Sequence, residues 1–526
     1  MRVLVVGSGL SGVAASMPLV ARGHEVTIVD GGQRIEPEFA RLAATVSATP
    51  KADWTNETLT RLRHNPTVGE PVPRRRVFGS QWYMRAGLDA VAAPGQPPVL
   101  ATSLARGGLA EAWGAAVLPV AAADSADWCV SADDLAPHYR AVLAALPLQA
   151  VEDGLAAHFP LHASPGASLP LNRGDDTLIE RADACRDELA TAGLYIGRAR
   201  LALRAPDTEG DGGCNRCGIC LLGCPRGAIY SPRQQLQRWI ESGAVTYLPG
   251  RLVDSVAESD GGVEVLWRVL PDEITERHDF DRVLIGAGPV QTGRIVLNSC
   301  APSPRPLELR TSQKFLVPFV APSAPGALYG EPRITLPGIF ADLLDRTVSP
   351  HWVHLQLSGC NSLVEEHCGL PVGSKSSFRR TLLGPIVSRI YAGWGGVHSS
   401  HSPSVALSVQ SGRIHTRVIE GGSSRSVARL ASRRLIELLS RIGLRSTTSA
   451  TRVGGVGGGA HFGASLPMRE RPDLPHDSDL VGRPFGWRRI HVVDASVLPS
   501  IPATTIGLPT MANAHRIGTA VADMGG

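Results

Sequence analysis

The chain opens on an apolar run, Val3-Leu4-Val5-Val6, dense enough in hydrophobic side chains to require burial on both faces. It predicts a buried parallel strand over 2–6. Apolar residues then recur at Leu10, Val13, Ala14, Met17 and Leu19-Val20, which predicts a helix closed at Gly23. Pro18 falls inside it and predicts a kink or a loosened last turn. Val26-Thr27-Ile28-Val29 predicts a second strand, which delivers Asp30. Far downstream, Asp281–Ile285 and Ile490–Asp494 predict two further strands of the same kind. Ser426–Ile442 predicts an amphipathic helix, with Val427, Leu430, Leu435, Leu438, Leu439 and Ile442 on or near one face and Gly443 as its stop. Pro509–Asp523 predicts a last helix with proline at its first position. Stretches rich in Gly and Pro at 92–98, 205–213, 301–306 and 321–332 predict loops, and the glycine-rich stretch 452–463 a flexible or tightly turned one.

The first strand runs into Gly7-Ser8-Gly9-Leu10-Ser11-Gly12, a G-x-G-x-x-G turn in its proper context of strand, turn, helix, strand and acid. Gly7 permits the tight turn, Gly9 lets a pyrophosphate approach the backbone, and Gly12 lets the helix pack on the strand. The helix N-terminus offers unpaired N–H groups and partial positive charge to phosphates. Asp30 is placed to accept hydrogen bonds from a ribose. The later strands run into Gly286-Ala287-Gly288 and Asp494, again at a carboxyl edge. The expected architecture is α/β. One nucleotide-binding domain is assembled from 1–36, 100–125, 205–305 and 450–526, with 37–99, 126–204 and 306–449 forming a substrate domain and excursions.

With 526 residues, 43% hydrophobic and 19% charged, the chain has the composition of a globular protein able to bury a large core. A formal net charge of +4 gives no footing for nucleic acid as a partner, and the basic run Arg74-Arg75-Arg76 reads as a solvated loop. The first strand leaves no room for a leader, and no stretch is long and apolar enough to span a membrane. The expected compartment is therefore the cytoplasm, where nine cysteines read as thiols or ligands rather than disulfides.

The fingerprint, Gly107-Gly108-Leu109-Ala110-Glu111-Ala112-Trp113-Gly114, the cysteine run at 214–224, Ile285-Gly286-Ala287-Gly288-Pro289 and Val492-Val493-Asp494-Ala495-Ser496-Val497-Leu498-Pro499 together resemble the glucose–methanol–choline (GMC) oxidoreductase superfamily, in its bacterial type carrying a four-cysteine run. The resemblance implies a Rossmann-like FAD-binding domain plus an α+β substrate domain on an antiparallel sheet. It also implies oxidation of an alcohol carbon to a carbonyl. Gly107 and Gly108 would pass the flavin, with Trp113 and Gly114 nearby; the other reading is a turn leading into a helix, with a buried Trp113. Asp494 and Ala495 would lie under the flavin. The start of the last helix, if it faces the isoalloxazine, would stabilise negative charge on the reduced ring. His461 matches the family's catalytic histidine, and a neutral imidazole suits removal of a hydroxyl proton. The family usually supplies an Asn or a second His some way after the aspartate strand. Here Pro502-Ala503-Thr504-Thr505-Ile506-Gly507 supplies neither, so Thr505 is the nearest polar candidate. His515, further along the helix, is expected to pack against the domain.

Cys214, Cys217, Cys220 and Cys224, followed by Pro225, have ferredoxin spacing. Three readings stay open: a 4Fe-4S cluster, a metal-free structural knot, or zinc. A cluster near the flavin would let electrons leave singly to an external acceptor. The expected activity is oxidation of a small-molecule alcohol, sugar or polyol by FAD, with the hydride passing to flavin N5 and His461 as base. The alternatives are an isomerase or epimerase that re-reduces the same carbon, and a non-catalytic flavin fold. His351, Trp352, His354, Trp394, His398 and His401 are either substrate contacts or packing residues.

Overall fold

The computed structural model describes residues 1–63, 76–85, 88–94, 99–164, 168–206, 212–300, 305–326, 332–361, 364–365, 368 and 378–524. Arg74 and Arg75 lie outside these residues, as do parts of all four segments expected to be loops.

The four expected strands lie side by side. Ile490–Val492, Arg282–Ile285, Arg2–Val6 and Glu25–Asp30 are consecutive neighbours in one parallel sheet, and Thr246–Pro249 adds a fifth strand beyond Glu25–Asp30. Val3 to Val6, Val283 to Ile285, Ile490 and Val492 are all buried, as the uninterrupted apolar runs require. The fifth strand was not legible: it is short, half-exposed and ends in proline.

The first helix spans Leu10–Ala21 with Pro18 inside it, and its last turn is not loosened: Arg22 N–H donates to the Pro18 carbonyl at 3.1 Å. It is closed beyond Arg22, where Gly23 takes φ +73° and His24 N–H donates to the Leu19 carbonyl at 3.1 Å. The last helix spans Gly507–Asp523, so it starts two residues before the expected Pro509. Proline still fits because it remains in the first turn, where no N–H is needed. The two helices pack closely: a Cβ at Gly518 would stand 2.2 Å from the Ala15 carbonyl oxygen. A three-stranded antiparallel sheet, Arg251–Ser259, Gly262–Val269 and Ile274–Phe280, packs through its first strand on the helix Pro289–Ser299.

A six-stranded antiparallel sheet forms the second layer system. Its order is Arg452–Val453, Lys314–Val320, Ile390–Gly396, Val353–Ser358, Ile339–Leu343 and Leu194–Arg198. Period-two alternation gives it two faces. Phe315, Val317, Phe319, Leu355, Leu357, Ile339, Ala341 and Leu343 form one core with the helix Ser424–Leu439. That helix buries Leu435, Leu438 and Leu439 as expected, a short 3₁₀ turn carries it on to Ile442, and Gly443 follows at φ +93°. Leu430 is instead 39% exposed and belongs to the outer face. The opposite face of the sheet carries Lys314, Trp394, Gln356, His354 and Asp342. A four-stranded antiparallel sheet, Arg413–Ile419, Ser404–Gln410, Leu307–Thr311 and Phe462–Gly463, completes this part. No helix among the described residues is long and apolar enough to cross a membrane.

Candidate active site

A cavity of about 700 Å³ opens at the carboxyl edge of the parallel sheet. That volume is within the roughly 300–1,000 Å³ usual for ligand and cofactor sites. Gly7, Gly9, Asp30, Gly107, Gly108, Trp113, Gly114, Gly286, Ala287, Gly288, His461, Asp494, Ala495 and Thr505 all line it. Segments hundreds of residues apart in sequence thus meet in one place. Gly12 and the four cysteines of the run do not line it.

Gly12 lies behind the turn, where a Cβ would stand 1.8 Å from the Gly7 carbonyl oxygen. Gly7 has φ +103° and lies against the Gly286 carbonyl. Gly9 faces the other way: the nearest atom to a Cβ there is the Gly107 carbonyl oxygen at 3.9 Å, so the space in front of it is the cavity. Gly288 is also open, with nothing within 4 Å. The starts of three helices, Leu10–Ala21, Pro289–Ser299 and Gly507–Asp523, contribute lining residues, and each presents partial positive charge to this space.

Asp30 is buried, and burial raises its carboxyl above the usual range. Three donors meet it: Ser8 Oγ, Gly32 N–H at 2.7 Å and Tyr247 O–H at 2.7 Å. Ser8 Oγ also accepts from Gly107 N–H at 2.9 Å, which ties the first turn to the second. Glu111 buries its carboxylate beneath that second turn. It accepts from Ser231 Oγ and pairs with Arg233 at 2.9 Å, and burial again raises its carboxyl. Trp113 donates to the Tyr230 carbonyl at 2.7 Å, and its ring lies beside Gly507 at the head of the last helix. Asp494 is buried and accepts from Thr292 Oγ1 at 2.5 Å and Ser496 N–H at 2.9 Å. Ser8, Glu111 and Tyr247 escaped sequence reasoning. Glu111 alone left a signal, as a charge among Leu, Ala and Trp.

His461 ends a glycine loop, 454–460, that leaves the six-stranded sheet after Val453 and enters the four-stranded sheet at Phe462. Its carbonyl accepts from Ser312 N–H at 3.1 Å, and its Nδ1 lies 2.9 Å from Lys314 Nζ. Burial first, then Lys314 in its charged form, pushes the imidazole well below its ordinary value. Thr505 Oγ1 accepts from Leu118 N–H at 3.0 Å, which leaves its own proton to donate. Trp394 and Gln356 line the cavity from the antiparallel sheet.

The other candidate aromatics and histidines do not line this cavity. Trp352 is buried against Phe159 and Tyr195. His354 lies behind Gln356, its Nδ1 2.8 Å from Asp342. His351 stacks on His398 at 3.7 Å, and His401 meets Ser349 Oγ at 3.0 Å. His515 packs away from the cavity against His138, at 2.9 Å.

The cysteine run forms a compact turn between the main core and a smaller one containing Leu42, Phe78, Trp82 and Leu222. Gly218 and Gly223 take positive φ within it. Burial, then the neighbouring thiols, pushes Cys214 and Cys217 up to about 12. Among the described residues, no three His, Cys, Asp or Glu side chains are grouped to hold a metal ion. The 4Fe-4S expectation is unsupported, and no electron path is drawn through these thiols.

No protein-family model matches the chain, and no curated protein matches it in sequence. Its fold is similar to that in the crystal structure of pyridoxine 4-oxidase from Mesorbium loti, with a TM-score of 0.57 and 15% sequence identity over 99% of this chain and 98% of that one. At that identity the likeness is one of fold, over nearly the full length of both chains.

Proposed function

We propose that the chain is an FAD-dependent oxidoreductase of GMC type that oxidises a CH–OH group of a small-molecule alcohol or sugar. The observation that carries this reading is the convergence of the dinucleotide turn, the Gly107-Gly108 turn, the Gly286–Gly288 turn, Asp494 and His461 on one cavity. The open space before Gly9 and Gly288 suits a close-lying pyrophosphate. The fold likeness to an enzyme named pyridoxine 4-oxidase supports it further. The division of the chain into a cofactor domain and a substrate domain belongs to the same proposal, the six-stranded sheet providing the substrate side.

FAD, when bound, supplies the acceptor for a hydride from the alcohol carbon. The chain's own groups do the rest. Asp30 and the helix starts hold the dinucleotide. Thr505 donates to the substrate oxygen and orients it. The neutral His461 takes the hydroxyl proton. Trp394 and Gln356 bound the space left for the alcohol.

The test is direct. Purified protein should carry the yellow absorbance of a flavin. Under anaerobic conditions that colour should bleach with some member of a panel of sugars, polyols and hydrophobic alcohols, pyridoxine included. A folded, colourless preparation that takes up no FAD would overturn the reading.

A further inference from the structure

Period-two alternation places Lys314 on the cavity side of its strand, because Phe315, Val317 and Phe319 fill the core behind it. Its Nζ lies 2.9 Å from His461 Nδ1 and 3.0 Å from Ser312 Oγ. The stem is held between two glycines: a Cβ at Gly459 would stand 2.9 Å from its Cγ, and one at Gly396 would stand 2.8 Å from its Nζ. Among the described residues no carboxylate pairs with this amine. The titratable groups facing it are His461 on the glycine loop and, across Gly396 in register, His354 with Asp342. Burial pushes the Lys314 ammonium down to about 7, so the uncharged amine is accessible near neutrality. The stretch after Asp494 that would carry a second Asn or His holds Thr504 and Thr505 instead. One partner of the imidazole comes instead from a strand 147 residues upstream, and the Thr504 backbone carbonyl is a second.

We propose that Lys314, as a neutral amine, is the positioning residue that accepts Nδ1–H of His461, presents the Nε2 lone pair to the substrate and takes up the displaced proton. This rests on the reading of His461 as base. As the alcohol O–H bond breaks, Nε2–H forms. Nδ1–H breaks as Nζ–H forms, giving an ammonium. The O–H electron pair becomes the second bond of the carbonyl, and FAD, when bound, would supply the acceptor for the hydride. The ammonium then releases its proton to solvent. An ammonium present from the start does the opposite: it donates to Nδ1, forces the proton onto Nε2 and blocks the base.

The test uses nitrogen NMR of the purified protein labelled with ¹⁵N-histidine, with the His461 resonances assigned by their loss in His461→Gln. Between about pH 6 and about pH 8.5, spanning the lysine midpoint near 7, His461 should change from the Nε2–H to the Nδ1–H tautomer. Lys314→Met should abolish that change, and Lys314→Arg, which stays charged, should hold the ring as Nε2–H throughout. The proposal is overturned if wild type remains Nε2–H at the upper pH, or if the change survives in the methionine variant. Flavin reduction by the alcohol panel separates the two readings. If no alcohol reduces the flavin, the base reading and the proton step fall, whereas the tautomer result is read from the spectrum alone.

Discussion

The phenol of Tyr247 donates across 2.7 Å to Asp30 Oδ1 and closes the acid end of the cavity with a strand the first thirty residues give no hint of. The carboxylate already holds Ser8 and Gly32, so it retains about one lone-pair site for a ribose hydroxyl. Tyr247→Phe should therefore keep flavin and lower stability by about 1.5–3 kcal/mol, the range for a hydrogen bond to a charged group. Asp30→Asn should lose flavin on gel filtration. Urea melts and the ratio of flavin to protein absorbance check both.

His461→Ala should retain bound flavin and slow its reduction by substrate by roughly 10²–10⁴-fold, the usual contribution of a positioned base. Anaerobic stopped-flow reads this. Unchanged reduction would remove His461 from the mechanism.

Gly12→Val should yield colourless or aggregated protein. Even the first carbon of its side chain meets the Gly7 carbonyl oxygen at 1.8 Å, a clash between backbone segments that no rotamer relieves. The cost is at least the ~1–3 kcal/mol of ordinary overpacking. Gly23→Ala, with open space around it but φ +73°, should cost only about 1 kcal/mol and keep flavin.

Asp175 gives a pH dependence. It is buried after the cap Asn172, whose amide donates to it at 2.7 Å, and burial lifts its carboxyl from 3.8 to about 7. Between those values the folded chain keeps a proton that the unfolded chain has released. Stability therefore falls as pH rises through that window, by on the order of 4 kcal/mol from this group. Asp175→Asn should flatten that part of the pH–stability curve in chemical melts.

Iron and inorganic sulfide should be far below stoichiometric after anaerobic purification. Replacing Cys214 and Cys217 by serine should leave the flavin spectrum intact and lower the melting temperature, since each change buries a hydroxyl among apolar neighbours. One cluster per chain in the iron and sulfide assay would defeat this prediction.

Much of the site was legible because its parts are local. A strand, a glycine turn and an acid lie within thirty residues, and their order alone places Gly7, Gly9 and Asp30 at a carboxyl edge. The partners were not legible. Lys314 reads as one polar position in an alternating strand, and Tyr247 as part of a short segment before a proline. Their importance comes only from the contacts that the two sheets create. The cysteine run shows the reverse: its spacing is plain in the sequence, but the 4Fe-4S reading drawn from it is unsupported among the described residues. The last turn around Pro18 holds because tertiary packing on a largely buried helix overrides a local penalty.

The loop bearing His461 is moored at Val453 in one sheet and at Phe462 in another. The imidazole is therefore suspended like a bridge deck between two piers. Slippage between the sheets would detune the ring before the parallel sheet, the proposed seat of the dinucleotide, begins to open. On gentle heating, turnover should vanish while the protein is still yellow.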